Sequence, residues 1–449
     1  MFQIITSIIA VAVFLFLIYS VLISLNENEK RAAYRLLILS VIFSLLLSVP
    51  FIFHLSEFYF AVLSGVFILI ILLLIIPVKG KLHKTETPKT QIDERNIMFS
   101  RAELIPHTEK FINYYAEHPE NLEQDNKFRK NPGLLKVGTT KYNSVLFALA
   151  DASFYTVESF KNRVDGELYE NETLISPEEI TEFIKNYMQF SGARACGVTE
   201  LKKYHLYSYR GRGDFYGKKV TNTHKFAIAI TVEMAKEMTD TAPAAPTVIE
   251  SARQYLEVGK LAVQLAAFIR NMGYSARAHI DGNYEVVCPL VAKDAGLGEI
   301  GRMGLLMTPG LGPRVRIAVV TTSLKMVTDN PFQENSVIDF CIICKKCAYT
   351  CPSQAISFFD REKINDVIRW QINQEACYTY WTKSGTDCSK CLQVCPYSHP
   401  NNFLHNIVRK GIKGSVIFRK FALAGDDFLY GNKPKAKVFP EFMKLNVNN

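Results

Sequence analysis

Three stretches near the start of the chain are apolar without a break. Residues 2–25, 36–53 and 58–76 contain no charged side chain, and the third ends at Pro77. Each approaches the ~20 residues that carry a helix across a ~30 Å hydrocarbon core, so the pattern predicts three transmembrane helices. The first run has no basic leader and is longer than the apolar centre of a cleaved signal peptide. No twin-arginine pair precedes it. Lys30, Arg31 and Arg35 lie in the first connecting loop, and Lys79, Lys81, Lys84, Lys89 and Arg95 follow Pro77. The N-terminal start and the other turn carry no Lys or Arg. This bias predicts a multi-pass protein of the inner membrane, with its N-terminus outside and everything after residue 78 cytoplasmic. Membrane lipid is then a partner, and the basic flank suits an anionic leaflet.

Polarity changes after residue 78. Residues 79–136 are polar and broken by prolines, and read as a linker and packing arm with one amphipathic helix near 103–115. Residues 137–330 alternate between two periodicities. Positions 226–232 (FAIAITV) form a short, β-branched apolar run, as does 316–322, and both predict buried strands. Positions 247–272 carry Leu256, Leu261, Val263, Leu265, Phe268 and Ile269 at helical spacing, with Gly273 where a C-cap belongs. Such alternation predicts a layered α/β (α+β) core. Residues 331–400 form a cysteine-rich module and 401–449 a C-terminal extension.

Composition excludes some classes. The 449 residues carry 52 Lys and Arg against 43 Asp and Glu, a net charge of +9, and are 48% hydrophobic, which is incompatible with a disordered chain. The ten cysteines are too few for a disulfide scaffold, and their distribution is more informative than their number.

Eight of them lie between Cys341 and Cys395. The first run is Cys341-x2-Cys344-x2-Cys347-x3-Cys351-Pro352. The second is Cys377, then Cys388-x2-Cys391-x3-Cys395-Pro396. These are the spacings of a ferredoxin-like module with two [4Fe–4S] clusters, in which the fourth cysteine of each run serves the other cluster. Cys341, Cys344, Cys347 and Cys395 form one predicted ligand set; Cys377, Cys388, Cys391 and Cys351 form the other. The gap from Cys377 to Cys388 is longer than usual. Zinc would need tetrahedral sets without the Cys-Pro endings, and disulfides disagree with a cytoplasmic location. Cys196 and Cys288 read as buried structural thiols. Clusters move electrons singly and do not themselves reduce a substrate, so the preceding core is the expected electron sink.

Two further segments invite a binding reading. Gly296-Leu-Gly-Glu-Ile-Gly301 matches G-x-G-x-x-G, but Pro289 precedes it, no long helix follows, and no acidic residue ends a second strand. A dinucleotide site is not expected there; the glycines let the backbone turn or approach a bulky group. The basic, aromatic loop 207–219 could touch nucleic acid, but a membrane anchor argues against such a partner.

Several segments occur together in one order: 255–274, then Ala-Gly-Leu-Gly-Glu-Ile-Gly at 295–301, then Thr-Pro-Gly-Leu-Gly-Pro-Arg-Val-Arg at 308–316, then the cysteine runs. Over about 137–400 the chain resembles the cobalamin-dependent reductive dehalogenases, and its cysteine module is similar to that of epoxyqueuosine reductase. The resemblance implies a corrinoid held base-off between core and module, which fits the lack of a histidine two residues after an aspartate. It implies Tyr255 as proton donor to a small-molecule substrate, with Arg314 or Arg316 lowering its pKa. It also makes Gly296, Gly298 and Gly301 cofactor-facing. The 279–284 segment is longer than the family's by two residues, which leaves His279, Asp281 or Asn283 as further candidates, His279 as an acid and Asn283 as a cofactor contact. The three fused spans resemble an anchor and a catalytic subunit in one chain. A quinol, ferredoxin or flavodoxin would supply electrons. The competing reading is a membrane-bound ferredoxin-type electron-transfer protein without corrinoid chemistry.

Overall fold

A computed structural model describes residues 2–53, 56–80, 83 and 86–445. Lys81 and Lys84 of the basic flank, and the last four residues of the C-terminal extension, lie outside the described residues. The chain divides into two compact units, 1–82 with 401–434, and 83–400 with 435–449. The expected C-terminal extension is therefore split between them.

The first unit is helical. Helices α1 (Phe2–Asn26), α2 (Lys30–Ile52) and α3 (Glu57–Ile75) are long and apolar enough to cross a membrane. Most of their Leu, Ile, Val and Phe side chains face outward, as they do where the surrounding solvent is itself apolar. The small polar side chains turn inward: Thr6 Oγ1 and Ser64 Oγ lie 2.8 Å apart between α1 and α3. Two amphipathic helices, Phe403–Gly414 and Val416–Leu429, complete the unit.

The second unit is built on a four-stranded sheet. Its strands are β1 (Ala195–Glu200), β2 (Phe226–Glu233), β3 (Ala276–His279) and β6 (Val315–Thr322), in the order β1-β2-β6-β3. Two-residue strands β4 (Glu299–Ile300) and β5 (Leu306–Met307) pair separately. Every pairing in the main sheet is antiparallel, so the layered core is α+β, not a parallel α/β sheet. Alternation within β2 explains its unbroken apolar run. Ile228, Ile230 and Val232 pack with Val258, Leu261, Leu265 and Ile269 of the Ala245–Asn271 helix. Ala227 and Ala229 face the other layer, against Val291, Ala292 and Leu297. Both faces of the sheet are covered, and a covered strand needs no polar side.

The amphipathic helix expected at 103–115 begins later, at Glu109–Glu117. Pro106 disfavours a helical residue before it, and Thr108 Oγ1 caps the new start by accepting from Phe111 N. This helix and Pro119–Arg129 belong to the packing arm. Arg101 of the arm pairs with Asp125 at 3.3 Å and with Glu375, and Asn131 Nδ2 donates to Thr382 Oγ1 at 3.0 Å. Both Glu375 and Thr382 lie on the Gln374–Ser384 helix, which carries Cys377.

Candidate redox site

The cysteine module turns sharply where its ligand candidates stand. The Asn335–Cys344 helix ends at Lys345, which is left-handed (φ 55°), and the Lys346–Thr350 helix follows at once. This reversal brings Cys341, Cys344 and Cys347 around one cavity, and Cys395 from the second run closes it. Burial pushes the Cys395 thiol well up, and Cys341, Cys344 and Cys347 push it further. Burial likewise raises Cys391, with Cys388, Cys377, Cys347 and Cys351 adding to the effect. Cys351, Cys377 and Cys388 of the second predicted set thus act on Cys391, as does Cys347 of the first. Among the described residues, no three His, Cys, Asp or Glu side chains converge closely enough for a single metal ion. The Cys391 and Cys395 thiols resist ionising beside their neighbours, and a cationic cluster core would relieve that repulsion. The quartets therefore fit iron–sulfur clusters.

Arg302 ties the core to this module. It is buried, donates through Nε to Cys341 O at 3.0 Å and through Nη1 to Ser357 O and Phe359 O, and lies over the Trp370 ring.

A second site lies on the sheet. Tyr255 of the long helix is half-buried, and Arg316 at the start of β6 places its Cζ 4.8 Å from the Tyr255 ring centre. Arg316 Nη2 also donates to Ser251 Oγ, one turn back on the same helix, and to Asp387 Oδ2 at 3.0 Å. Asp387 immediately precedes Cys388. Burial pushes the Tyr255 phenol up to about 12; Arg316 pulls it down, while Asp281, Asp387 and Cys288 push it up. The expected lowering by a basic neighbour is present and is outweighed by desolvation. Burial also raises Asp387, against the pull of Arg316. The Tyr284 phenol rises through burial, with Asp281 and Tyr255 adding to it. Arg316 Nε and Asp387 Oδ1 are among the buried side-chain atoms without a hydrogen-bond partner in the protein.

Other predicted positions go elsewhere. Arg314 does not join Tyr255: its Nε donates to Ser398 O at 2.7 Å, and its Nη1 reaches Met234 O and Glu233 Oε1. It is a buried tie between β6 and the module. His279 is fully buried in β3, and burial holds its pKa well below the usual range, with Arg277 next in effect. Its Nδ1 accepts from Glu285 N at 3.1 Å, so the neutral ring donates through Nε2 to Thr321 Oγ1 at 2.9 Å. That proton is spent on the sheet. Asn283 Oδ1 accepts from Arg210 at 2.6 Å and Arg277 at 2.8 Å, which occupies it within the protein. The glycines pack against their own chain. A Cβ on Gly298 would stand 2.4 Å from Met307 O, one on Gly296 (φ 78°) 2.8 Å from Asn330 O, and one on Gly301 2.8 Å from Met307 Cγ. They permit close backbone approach between protein segments, and the Cβ position of Gly301 lies 3.7 Å from Cys341 Sγ, a predicted cluster ligand. Cys196 and Cys288 are buried, as expected. The two arginines of the basic loop are paired within the protein: Arg212 with Glu103 and Arg210 with Glu285, while Gly211 N donates to Glu94; Lys218 and Lys219 are exposed.

Asp387 and Ser251 were not visible as site residues in the sequence. The adjacency of Asp387 to Cys388 was the one available signal; Ser251 had none, because its role depends on the crossing of helix and sheet.

The module matches the family described as a 4Fe-4S dicluster domain, over residues 340–399. The chain thus carries an iron–sulfur domain beside a half-buried tyrosine–arginine site. It is similar to the tetrachloroethene reductive dehalogenase of Sulfurospirillum multivorans, 35% identical over 222 residues, which cover 48% of this chain and 44% of that protein. It is 29% identical over 121 residues to the epoxyqueuosine reductase of Staphylococcus aureus, covering 24% of this chain and 28% of the other. The solved structure of the catabolic reductive dehalogenase NpRdhA with 3-bromo-4-hydroxybenzoic acid superposes with a TM-score of 0.64 at 24% identity, over 81% of this chain and 50% of the other. The core and module therefore have the reductive dehalogenase fold. The chain spans half or less of the length of these proteins.

Proposed function

We propose that this chain is a membrane-anchored, reductive dehalogenase-like oxidoreductase. The two cysteine quartets would hold two [4Fe–4S] clusters, which pass electrons one at a time. The corrinoid rests on the likeness to reductive dehalogenases. The polar site fits it in one respect: Arg316 Nε and Asp387 Oδ1 have no hydrogen-bond partner in the protein, beside a cluster ligand. Ser251, Tyr255, Arg316 and Asp387 would face it. When bound base-off, such a group supplies a strongly reducing, nucleophilic cobalt centre.

The chain's own residues then have defined tasks. Tyr255 holds its proton on Oη throughout the neutral range, because burial has pushed the phenol up. A general acid of this kind delivers a proton to carbon as a leaving group departs. Arg316 stabilises the phenolate that remains, and Asp387 and Ser251 hold Arg316 over the ring. The substrate class is a small molecule with a halide or comparable leaving group. The first three helices anchor the chain, with the basic flanks and the catalytic unit in the cytoplasm, and a quinol, ferredoxin or flavodoxin supplies electrons.

The single observation carrying this reading is Arg316 joining Tyr255 to Asp387, one residue before a cluster ligand. Anaerobic purification with iron quantitation and corrinoid extraction tests it. About eight irons and about one cobalt per chain support it. Iron without cobalt, after growth with corrinoid supplied, sinks it in favour of an electron-transfer protein.

A further inference from the structure

We propose that the helices Phe403–Gly414 and Val416–Leu429 form an interfacial collar that binds the anionic headgroup layer of the membrane. The inference rests on the membrane reading of α1–α3 and adds a lipid-binding surface distant in sequence from them.

Three contacts seat the collar, all at one end of the helical bundle. Glu27, just past α1, accepts from Asn402 Nδ2 at 2.5 Å and pairs with His405 Nε2 at 3.1 Å. Arg35, near the start of α2, donates to Phe428 O and stacks 4.7 Å from the Phe428 ring centre. Val416 N donates to Val78 O at 3.0 Å, just beyond α3. This is the end at which Lys30, Arg31, Arg35 and Lys79 gather. It is the cytoplasmic end under the positive-inside rule.

The outward face of the collar matches a headgroup boundary. Ile417, Phe421 and Ala424 recur at i, i+4 and i+7, and all three are exposed. Phe421 is 58% exposed, and Phe403 on the first helix is 65% exposed. A helix that presents such a stripe together with cations lies in the plane of a membrane surface. Between Phe403 and Tyr430 there are five Lys and Arg against two Asp, and Lys410, Lys413 and Lys420 are exposed. That charge complements anionic lipid. The stripe is continuous with a bundle whose own side chains already face outward.

Brominated-lipid quenching of the full chain in vesicles tests this. The two native tryptophans, Trp370 and Trp381, lie in the other unit, so an added one reads as a difference. Phe421→Trp should be quenched more by shallow than by deep bromines. Phosphatidylglycerol in phosphatidylcholine should raise that quenching about twofold, and the Lys410→Gln, Lys413→Gln, Lys420→Gln variant should abolish the rise. Leu15→Trp, in α1, reports the anchor separately. Quenching of Leu15→Trp with none of Phe421→Trp overturns the collar alone. Absence of both overturns the anchor, and the collar with it. Shielding of Phe421→Trp from bromine and from aqueous acrylamide alike would mean a protein covers the stripe, which also overturns the proposal. Unchanged iron content shows that each variant folds.

Discussion

Arg316 engages Tyr255 and Asp387 at once: its Cζ lies 4.8 Å from the tyrosine ring centre, and its Nη2 donates to the carboxylate at 3.0 Å. The guanidinium is the main influence opposing burial on the phenol. Removing it leaves a weaker acid. Arg316→Met should lower turnover by roughly 10–100-fold and raise the Tyr255 phenol further. Arg316→Lys should recover only part of this, because an ammonium cannot stack and bridge as the planar fork does. Difference absorbance against Tyr255→Phe measures the ionisation. An unshifted phenol would show that Arg316 does not govern Tyr255.

Tyr255→Phe keeps the ring against Phe154 and Arg316 and removes only the hydroxyl. Turnover should fall at least ~100-fold while cluster absorbance and electron paramagnetic resonance stay intact. Retained turnover would remove Tyr255 from the proton-donor role.

The crossed quartets make an asymmetric prediction. Cys395 lies with Cys341, Cys344 and Cys347, far along the chain from them. Cys395→Ser should therefore perturb the same resonance signal as Cys344→Ser, while Cys351→Ser should perturb the signal affected by Cys388→Ser. Each should lower iron from about eight toward about four per chain. If Cys395→Ser instead matched Cys388→Ser, the quartets would be uncrossed.

Gly298→Ala separates packing from ligand binding. Its Cβ would meet the Met307 carbonyl at 2.4 Å, and backbone cannot yield cheaply. A loss of about 1–3 kcal/mol is expected, seen as a lower Tm in the absence of any added cofactor. Unchanged stability with weakened corrinoid retention would return this glycine to the cofactor.

His279 makes stability depend on pH. Burial holds its folded pKa well below the unfolded value of about 6.5. Between those values the unfolded chain binds the extra proton, so stability rises with pH. The contribution is fully present above about pH 6.5 and is lost as pH falls toward the folded value, at up to about 1.4 kcal/mol per unit. His279→Gln should flatten the Tm difference between about pH 7.5 and 5.5. Part of the slope should survive, because burial lowers His224 in the same direction. An unchanged slope would place the acid sensitivity elsewhere.

Features set by local pattern were legible in advance. The apolar runs, the 226–232 strand, the long helix ending near Gly273 and the cysteine spacings each depend on neighbours a few residues apart. The glycine motif is ambiguous in sequence because its residues touch Met307 and Asn330, and a close backbone contact looks the same there as a cofactor cradle. Arg314 and Arg316 could not be told apart. They are two residues apart where β6 begins, and one runs to Ser398 while the other runs to Tyr255.

By itself, the sequence determined the apolar N-terminal helices, the iron–sulfur character of residues 340–399 and the likeness to reductive dehalogenases. Periodicity and ligand spacing are local quantities, and a chain carries them before it folds. Tertiary structure alone decided the antiparallel order of the sheet, the grouping of residues 401–434 with the N-terminal helices, and the joining of Ser251, Tyr255, Arg316 and Asp387. Each of these joins residues far apart in the chain. Their contacts, and the desolvation that sets the acidity of Tyr255, exist only once helix, sheet and cysteine module have packed together.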